Sequence, residues 1–321
     1  MSDRLSIPSP EEIADLQLPA STEDLIAEYD RRVGHRVEYL WKWLYEVFPR
    51  YRLSCVPERH HEAVRERKLL LTMFYTLLDD LADLHGDRAT LMEARKLPFP
   101  HTTVDRDRPA VDDAYLDVAT SVWREVEDRM ETAPRREEFR PIFEFDCRQF
   151  ITSVHYGYLV SETPGLATER GAYAHGVHNM AQFSYADVDI MYSPEFDVAD
   201  LRTLRSVVWP AQRLARIANW VATWQREVAE NDPTSGVVVR ALEAGVLTGD
   251  ELADPDVSTG ELVDRIEDRD TEQQFLQEWD RCYDRLLERL QTCEADSVDL
   301  RDYVAGMREM RRLYLDSRDR L

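Results

Sequence analysis

Two groups of oxygen-bearing side chains, about 140 residues apart, have the spacing needed to hold hard cations. The first is Asp79-Asp80-Leu81-Ala82-Asp83, which follows the apolar run from Leu69 to Leu78. Asp79 and Asp83 are one turn apart and share a helix face. Carboxylates at a helix C-terminus meet the negative end of the dipole, at a cost of roughly 0.3–1 kcal/mol each, and repel one another. A divalent cation is the natural compensation. The second group is Asn219, Thr223 and Glu227, spaced i, i+4, i+8 and again on one face. An amide oxygen, a hydroxyl and a carboxylate are hard donors that suit Mg2+, which completes its octahedron with water and phosphate oxygens. Two helices that each bring part of such a ligand set leave room between them for a diphosphate.

In an Asp-rich chain the first pattern arises by chance roughly 0.3 times, and the second, with asparagine so rare, roughly 0.03 times. The first alone reads equally well as a solvated acidic helix end; the two in this order are far more specific.

The elements that carry these groups read as helices. A capping-box pattern at Ser21-Thr22-Glu23-Asp24 opens a helix to about Phe48, closed by Pro49. A second helix covers about 58–84, with Gly86 as its stop. Others are expected at about 112–131, 135–161, 166–192 and 198–230. Pro210 should kink or divide the last of these. Two short helices between 237 and 267 are followed by helices at about 271–293 and 298–317. Residues 97–109 and 231–236 read as loops. Strand patterning is nearly absent. The expected fold is all-α: a single bundle of ten or so helices around a central cavity. Residues 1–20, with three prolines, read as a flexible N-terminal tail, and 21–321 as the folded domain.

The chain has 321 residues and a formal net charge of −23, which argues against nucleic acid and anionic membrane surfaces as partners. Three lysines stand against 37 arginines among abundant Asp and Glu, a composition that fits high-salt surroundings. Four scattered cysteines form no metal-ligand spacing and fit a reducing cytoplasm. No apolar run is long enough for an integral membrane segment.

On these residues the chain resembles the class I terpene synthases of the isoprenoid synthase superfamily. Asp79-Asp80-x-x-Asp83 is similar to their aspartate-rich motif, and Asn219-x3-Thr223-x3-Glu227 to their second, Asn/Ser/Glu-type motif. Trp220 stands where an Asp commonly follows the Asn. The resemblance implies that Asp79, Asp83, Asn219, Thr223 and Glu227 hold Mg2+, three ions in all. It implies that Asp80 ligates metal or anchors an arginine of the C-terminal helix. Arg226, Arg312, Tyr314 and Arg170 match the family's diphosphate-binding positions. Phe74, Tyr75, Phe183, Tyr185, Trp209 and Trp220 are candidates for a cavity wall with π faces turned to a carbocation. The implied function is ionisation of an allylic prenyl diphosphate, farnesyl or geranylgeranyl diphosphate, followed by cyclisation, in a soluble protein that could form a homodimer. Two alternatives stand beside it: a prenyl diphosphate condensing enzyme (a prenyltransferase or a squalene/phytoene synthase-like enzyme), and a non-catalytic helical homologue. The condensing prenyltransferases carry a second aspartate-rich motif where this chain has Asn, Thr and Glu.

Overall fold

Good helix formers meet few breakers in this sequence, and no strand forms among the described residues. The structure, a computed structural model, describes residues 6–34 and 36–321. In chain order its α-helices are α1 (Pro10–Ala14), α2 (Ala20–Arg32), α3 (Glu38–Val47), α4 (His61–Asp83) and α5 (Arg88–Ala94). Next come α6 (Asp113–Met130), α7 (Arg136–Glu162), α8 (Glu169–Ala174), α9 (Gln182–Met191) and α10 (Leu201–Ala229). The last are α11 (Gly236–Glu243), α12 (Gly249–Ala253), α13 (Thr259–Glu267), α14 (Thr271–Leu290) and α15 (Leu300–Asp316). The architecture is all-α, as the sequence implies.

Two long helices organise the bundle. In α4 every residue from Arg67 to Tyr75 is buried, as expected of a helix surrounded by others. It packs against α6 and α7, while α10 packs against α14 and α15. Helix α10 runs unbroken through Pro210, so the expected division does not occur. Most buried apolar side chains form one contiguous core that reaches from Ile13 to Leu313, with a small satellite of Val160, Ala167 and Val239 beside it.

Several expected elements differ. Helix 21–48 is two helices, because Gly34 (φ +54°) turns the chain between α2 and α3. Ser21 does not cap: α2 starts after Pro19, and the Ser21 hydroxyl donates to Glu66 at 2.8 Å instead. Part of the expected tail is seated, since a Ser9–Glu12 capping box holds α1 and buries Ile13 completely. Residues 1–5 of that tail lie outside the described residues. The single helix expected at 166–192 is broken into α8, a 3-10 turn at Gly176–Met180, and α9, with Ala181 in the left-handed region (φ +50°). Three helices rather than two fill 236–267, and α5 is an addition.

Candidate active site

Helix α4 turns one stripe inward: Thr72, Tyr75, Thr76, Asp79 and Asp83 all line one cavity. The spacing i, i+3, i+4, i+7, i+11 follows the helical repeat. Opposite, α10 contributes Ala215, Arg216, Asn219, Thr223, Arg226 and Glu227, again on one face, and Glu230 follows at its C-terminal end. Helix α3 closes a side with Leu40, Trp43, Leu44 and Val47, and α15 with Met310 and Tyr314. The cavity has a volume of about 410 Å3. The two sequence motifs therefore face each other across it.

The mouth is acidic and tightly connected. Thr223 lies 2.9 Å from Glu227 Oε1 and 2.8 Å from the Asn219 carbonyl oxygen, and its single hydroxyl proton serves these acceptors. Arg216 Nη1 donates to Asn219 Oδ1 at 2.8 Å, and Asn179 Nδ2 donates to Asp79 Oδ1 at 2.9 Å. The chain folds back after α10 through left-handed Asn231 (φ +57°), and the Asp232 N–H donates to the Glu227 carbonyl at 2.8 Å. That turn brings a further carboxylate, Asp232, to the rim.

Asp79, Asp83 and Asp232 are half-buried by area, yet they lie deep in the protein, because the surface they keep faces the cavity. Burial pushes the Asp79 carboxyl up, and neighbouring Asp80 adds to this, against Arg36 and Arg216. Asp83 is pushed well above the usual carboxylate range by burial, then by Asp79 and Asp232. Burial and Asp232 raise Glu227. Burial, and to a lesser degree Asp79, raises Asp232. Asp83 Oδ1 and Glu227 Oε2 are buried with no hydrogen-bond partner. The Ser235 hydroxyl pulls Glu227 the other way but forms no hydrogen bond of normal geometry with it. Gly157 packs here, and a Cβ in its place would stand in ordinary van der Waals contact, 3.4 Å from Asp83 Oδ1.

This donor set fits Mg2+. All its ligand atoms are hard oxygens, and two of them are orphaned. Among the described residues no three acidic, histidine or cysteine side chains form a ready-made metal cluster. The site therefore fits an ion completed by ligand and water oxygens rather than by a protein cage.

Other expected residues fall elsewhere. Asp80, about 100° around the helix from Asp79, is fully buried and points away from the cavity. It pairs with Arg36 Nη2 at 2.5 Å and accepts from the Tyr29 hydroxyl at 3.0 Å. The arginine it anchors thus comes from the link between α2 and α3, not from the C-terminal helix. Arg226 and Tyr314 line the cavity. Arg312 is 65% exposed and contacts Asp316 at 3.4 Å, because two residues along a helix is some 200° of rotation from Tyr314. Arg170 is exposed on α8 and does not line the cavity.

Of the expected wall aromatics, Tyr75 and Tyr185 are in place. Phe74 faces Trp123, one residue's rotation away from the Tyr75 stripe. Phe183 packs edge-on to Trp209, which is itself 50% exposed. Trp220 is fully buried against Tyr173 and Phe275, and lies so close to Gly236 that a Cβ there would meet the indole at 2.4 Å. Trp43, Tyr51 and Phe150 also line the cavity, as do Arg36, Asn179, Arg216 and Asp232, none of them among the expected site residues. Arg216 was legible, being three residues before Asn219 on the same face. Arg36 and Asn179 lie in turns, where no periodicity points to them.

No protein-family model and no curated protein matches the chain. Solved structures do. A cucumene synthase shares its fold with a TM-score of 0.53 at 11% sequence identity, over 99% of this chain and 98% of the other. The chain has a terpene-synthase fold. No helix among the described residues is long and apolar enough to cross a membrane.

Proposed function

We propose that this chain, built on a terpene-synthase fold, is a Mg2+-dependent class I terpene synthase that ionises farnesyl or geranylgeranyl diphosphate and guides the carbocation to a cyclised product. One observation carries the reading. Two orphaned carboxylate oxygens, Asp83 Oδ1 and Glu227 Oε2, stand on facing helices at the mouth of a single cavity.

Asp79 and Asp83 on one side, and Asn219, Thr223 and Glu227 on the other, would hold the Mg2+ ions. When bound, Mg2+ supplies the positive charge that offsets the charge developing on a departing diphosphate. Arg216, Arg226 and Arg36 line the same mouth; Arg226 brings a planar donor fork to phosphate oxygens, and Arg216 and Arg36, which already serve Asn219 and Asp80, add their remaining N–H donors. Tyr314, beside Arg216 and Asn219, adds a hydroxyl. The allylic C–O bond breaks, both electrons leave with the diphosphate, and the cation stays in the cavity. There Trp43, Tyr51, Tyr75 and Phe150 offer π faces and exclude bulk water. Four free cysteines fit the reducing cytoplasm as its compartment.

The test is incubation with geranyl, farnesyl and geranylgeranyl diphosphates plus Mg2+, with and without isopentenyl diphosphate, reading released diphosphate and extracted products. Diphosphate release with a terpene product supports the reading. Elongated diphosphates in the isopentenyl arm would assign a condensing enzyme instead. A non-catalytic homologue would release nothing and gain no thermal stability from Mg2+ with inorganic diphosphate, where a true site at 100 times its Kd gains about 2.7 kcal/mol.

A further inference from the structure

The end of the cavity opposite the acids is not apolar. Thr72, Tyr51, Tyr185 and Gln182 all line it, so three hydroxyls and an amide are turned toward the space where the hydrocarbon must fold. Thr72 lies two turns before Asp79 on the same stripe, about 10.5 Å deeper along α4 at 1.5 Å per residue.

Their protons can be counted. Thr72 Oγ1 is 2.7 Å from the Lys68 carbonyl oxygen and 2.7 Å from the Tyr185 hydroxyl. A carbonyl only accepts, so Thr72 donates to Lys68. Both contacts are then made only if Tyr185 donates to Thr72. Each of the two hydroxyls has committed its only proton and presents nothing but lone pairs to the cavity. Gln182 Oε1 is engaged by the Tyr303 hydroxyl at 3.3 Å, and the Gln182 side chain also meets the Tyr51 hydroxyl, the one hydroxyl of the three whose proton stays uncommitted. An acceptor without a free donor holds a water through one of its hydrogens, which leaves the water's own lone pairs free to face the cavity. A purely apolar floor would hold no water.

We infer that Thr72 and Tyr185 hold a water at the cavity floor that captures the carbocation, so that the product is a terpene alcohol. This rests on the proposed ionisation. The water oxygen forms a C–O bond to the cationic carbon, and the resulting oxonium loses one proton to solvent as the products leave. The net reaction is prenyl diphosphate plus water giving alcohol plus diphosphate, with no oxidant or reductant.

The experiment follows released diphosphate and extracted products together, in water enriched in heavy oxygen, for the wild type, Thr72→Val, Thr72→Ser and Tyr185→Phe. The wild type should yield an alcohol that carries the heavy oxygen. Thr72→Val and Tyr185→Phe should shift product toward hydrocarbon formed by deprotonation. The alcohol-to-hydrocarbon ratio should fall about tenfold, the change that goes with losing one hydrogen bond to the water. Thr72→Ser keeps the hydroxyl and should restore the ratio. Diphosphate release with only hydrocarbon from the wild type overturns this inference and leaves the terpene synthase reading standing. So does an alcohol with unlabelled oxygen, which would come from recapture of diphosphate, or a ratio that ignores both Thr72→Val and Tyr185→Phe. Absence of diphosphate release overturns both.

Discussion

Two sets of buried acids in this molecule contrast, with Asp187, pushed up by burial and by Asp146 and sharing Arg205, standing between them. Asp80, Asp146 and Asp189 each have a dedicated cation: Arg36 at 2.5 Å, Arg205 at 2.7 and 3.0 Å through both terminal nitrogens, and Lys68 at 2.8 Å. Asp79, Asp83, Glu227 and Asp232 instead crowd one cavity mouth, where burial above all raises their pKa, Asp79 and Asp232 add to the rise of their neighbours, and Arg216 is the one cation common to all four. The first kind is neutralised within the chain and serves the fold. The second is left in excess, which is the condition of a site that receives charge from outside. Adjacent residues can fall on different sides of this division, as Asp79 and Asp80 do.

Breaking the second set should cost most in activity. Asp79→Asn and Glu227→Gln are each expected to lower turnover at least about 1,000-fold, the upper range for loss of one charge-stabilising group. Far-UV circular dichroism should stay unchanged, and thermal stability without metal should hold or rise because a like charge is gone. A variant that retains full turnover would end the assignment.

Breaking the first set should do the reverse. In the Lys68–Asp189 pair burial pushes Lys68 down and Asp189 up, against their mutual attraction. Lys68→Met leaves Asp189 alone in the core and should lower stability by about 3–5 kcal/mol. Lys68→Met with Asp189→Leu should recover most of it. Denaturant midpoints at constant m-value measure both.

A pH series sharpens the contrast. The four cavity acids have folded pKa values raised above their unfolded ones. Their contribution is therefore complete below the ordinary carboxylate range and is lost as pH rises through the raised values. Metal-free protein should lose stability as pH climbs from about 4 toward neutral, by up to about 1.4 kcal/mol per pH unit for each proton involved. Asp83→Asn should flatten the slope, and Mg2+ should remove it. The smallest effects belong to Arg170→Gln and Arg312→Gln, both outside the cavity. Each should change stability by less than about 0.5 kcal/mol, with turnover near that of the wild type.

Helical periodicity made much of this legible in advance. It gave the all-α class, the long helices, and the faces shared by Asp79 with Asp83 and by Asn219 with Thr223 and Glu227. It failed where direction depends on tertiary neighbours. Phe74 and Trp220 are one position from lining residues, and each turned outward into another helix. The break between α8 and α9 leaves little trace in a stretch of helix-compatible residues, yet it is what brings Asn179 to Asp79. Arg36 reaches the mouth through a link whose turn is set by Gly34, too short to carry a pattern. Asp232 arrives by a backbone reversal that only the folded chain defines.

Helix α4 carries both ends of the cavity, the acids at its rim and Thr72 at its base, on a single unbroken stripe. Its backbone is therefore a yardstick with a fixed interval between where a diphosphate would be gripped and where a hydrocarbon tail would stop. Wall substitutions can alter the chamber's girth, but its depth changes only by whole helical turns.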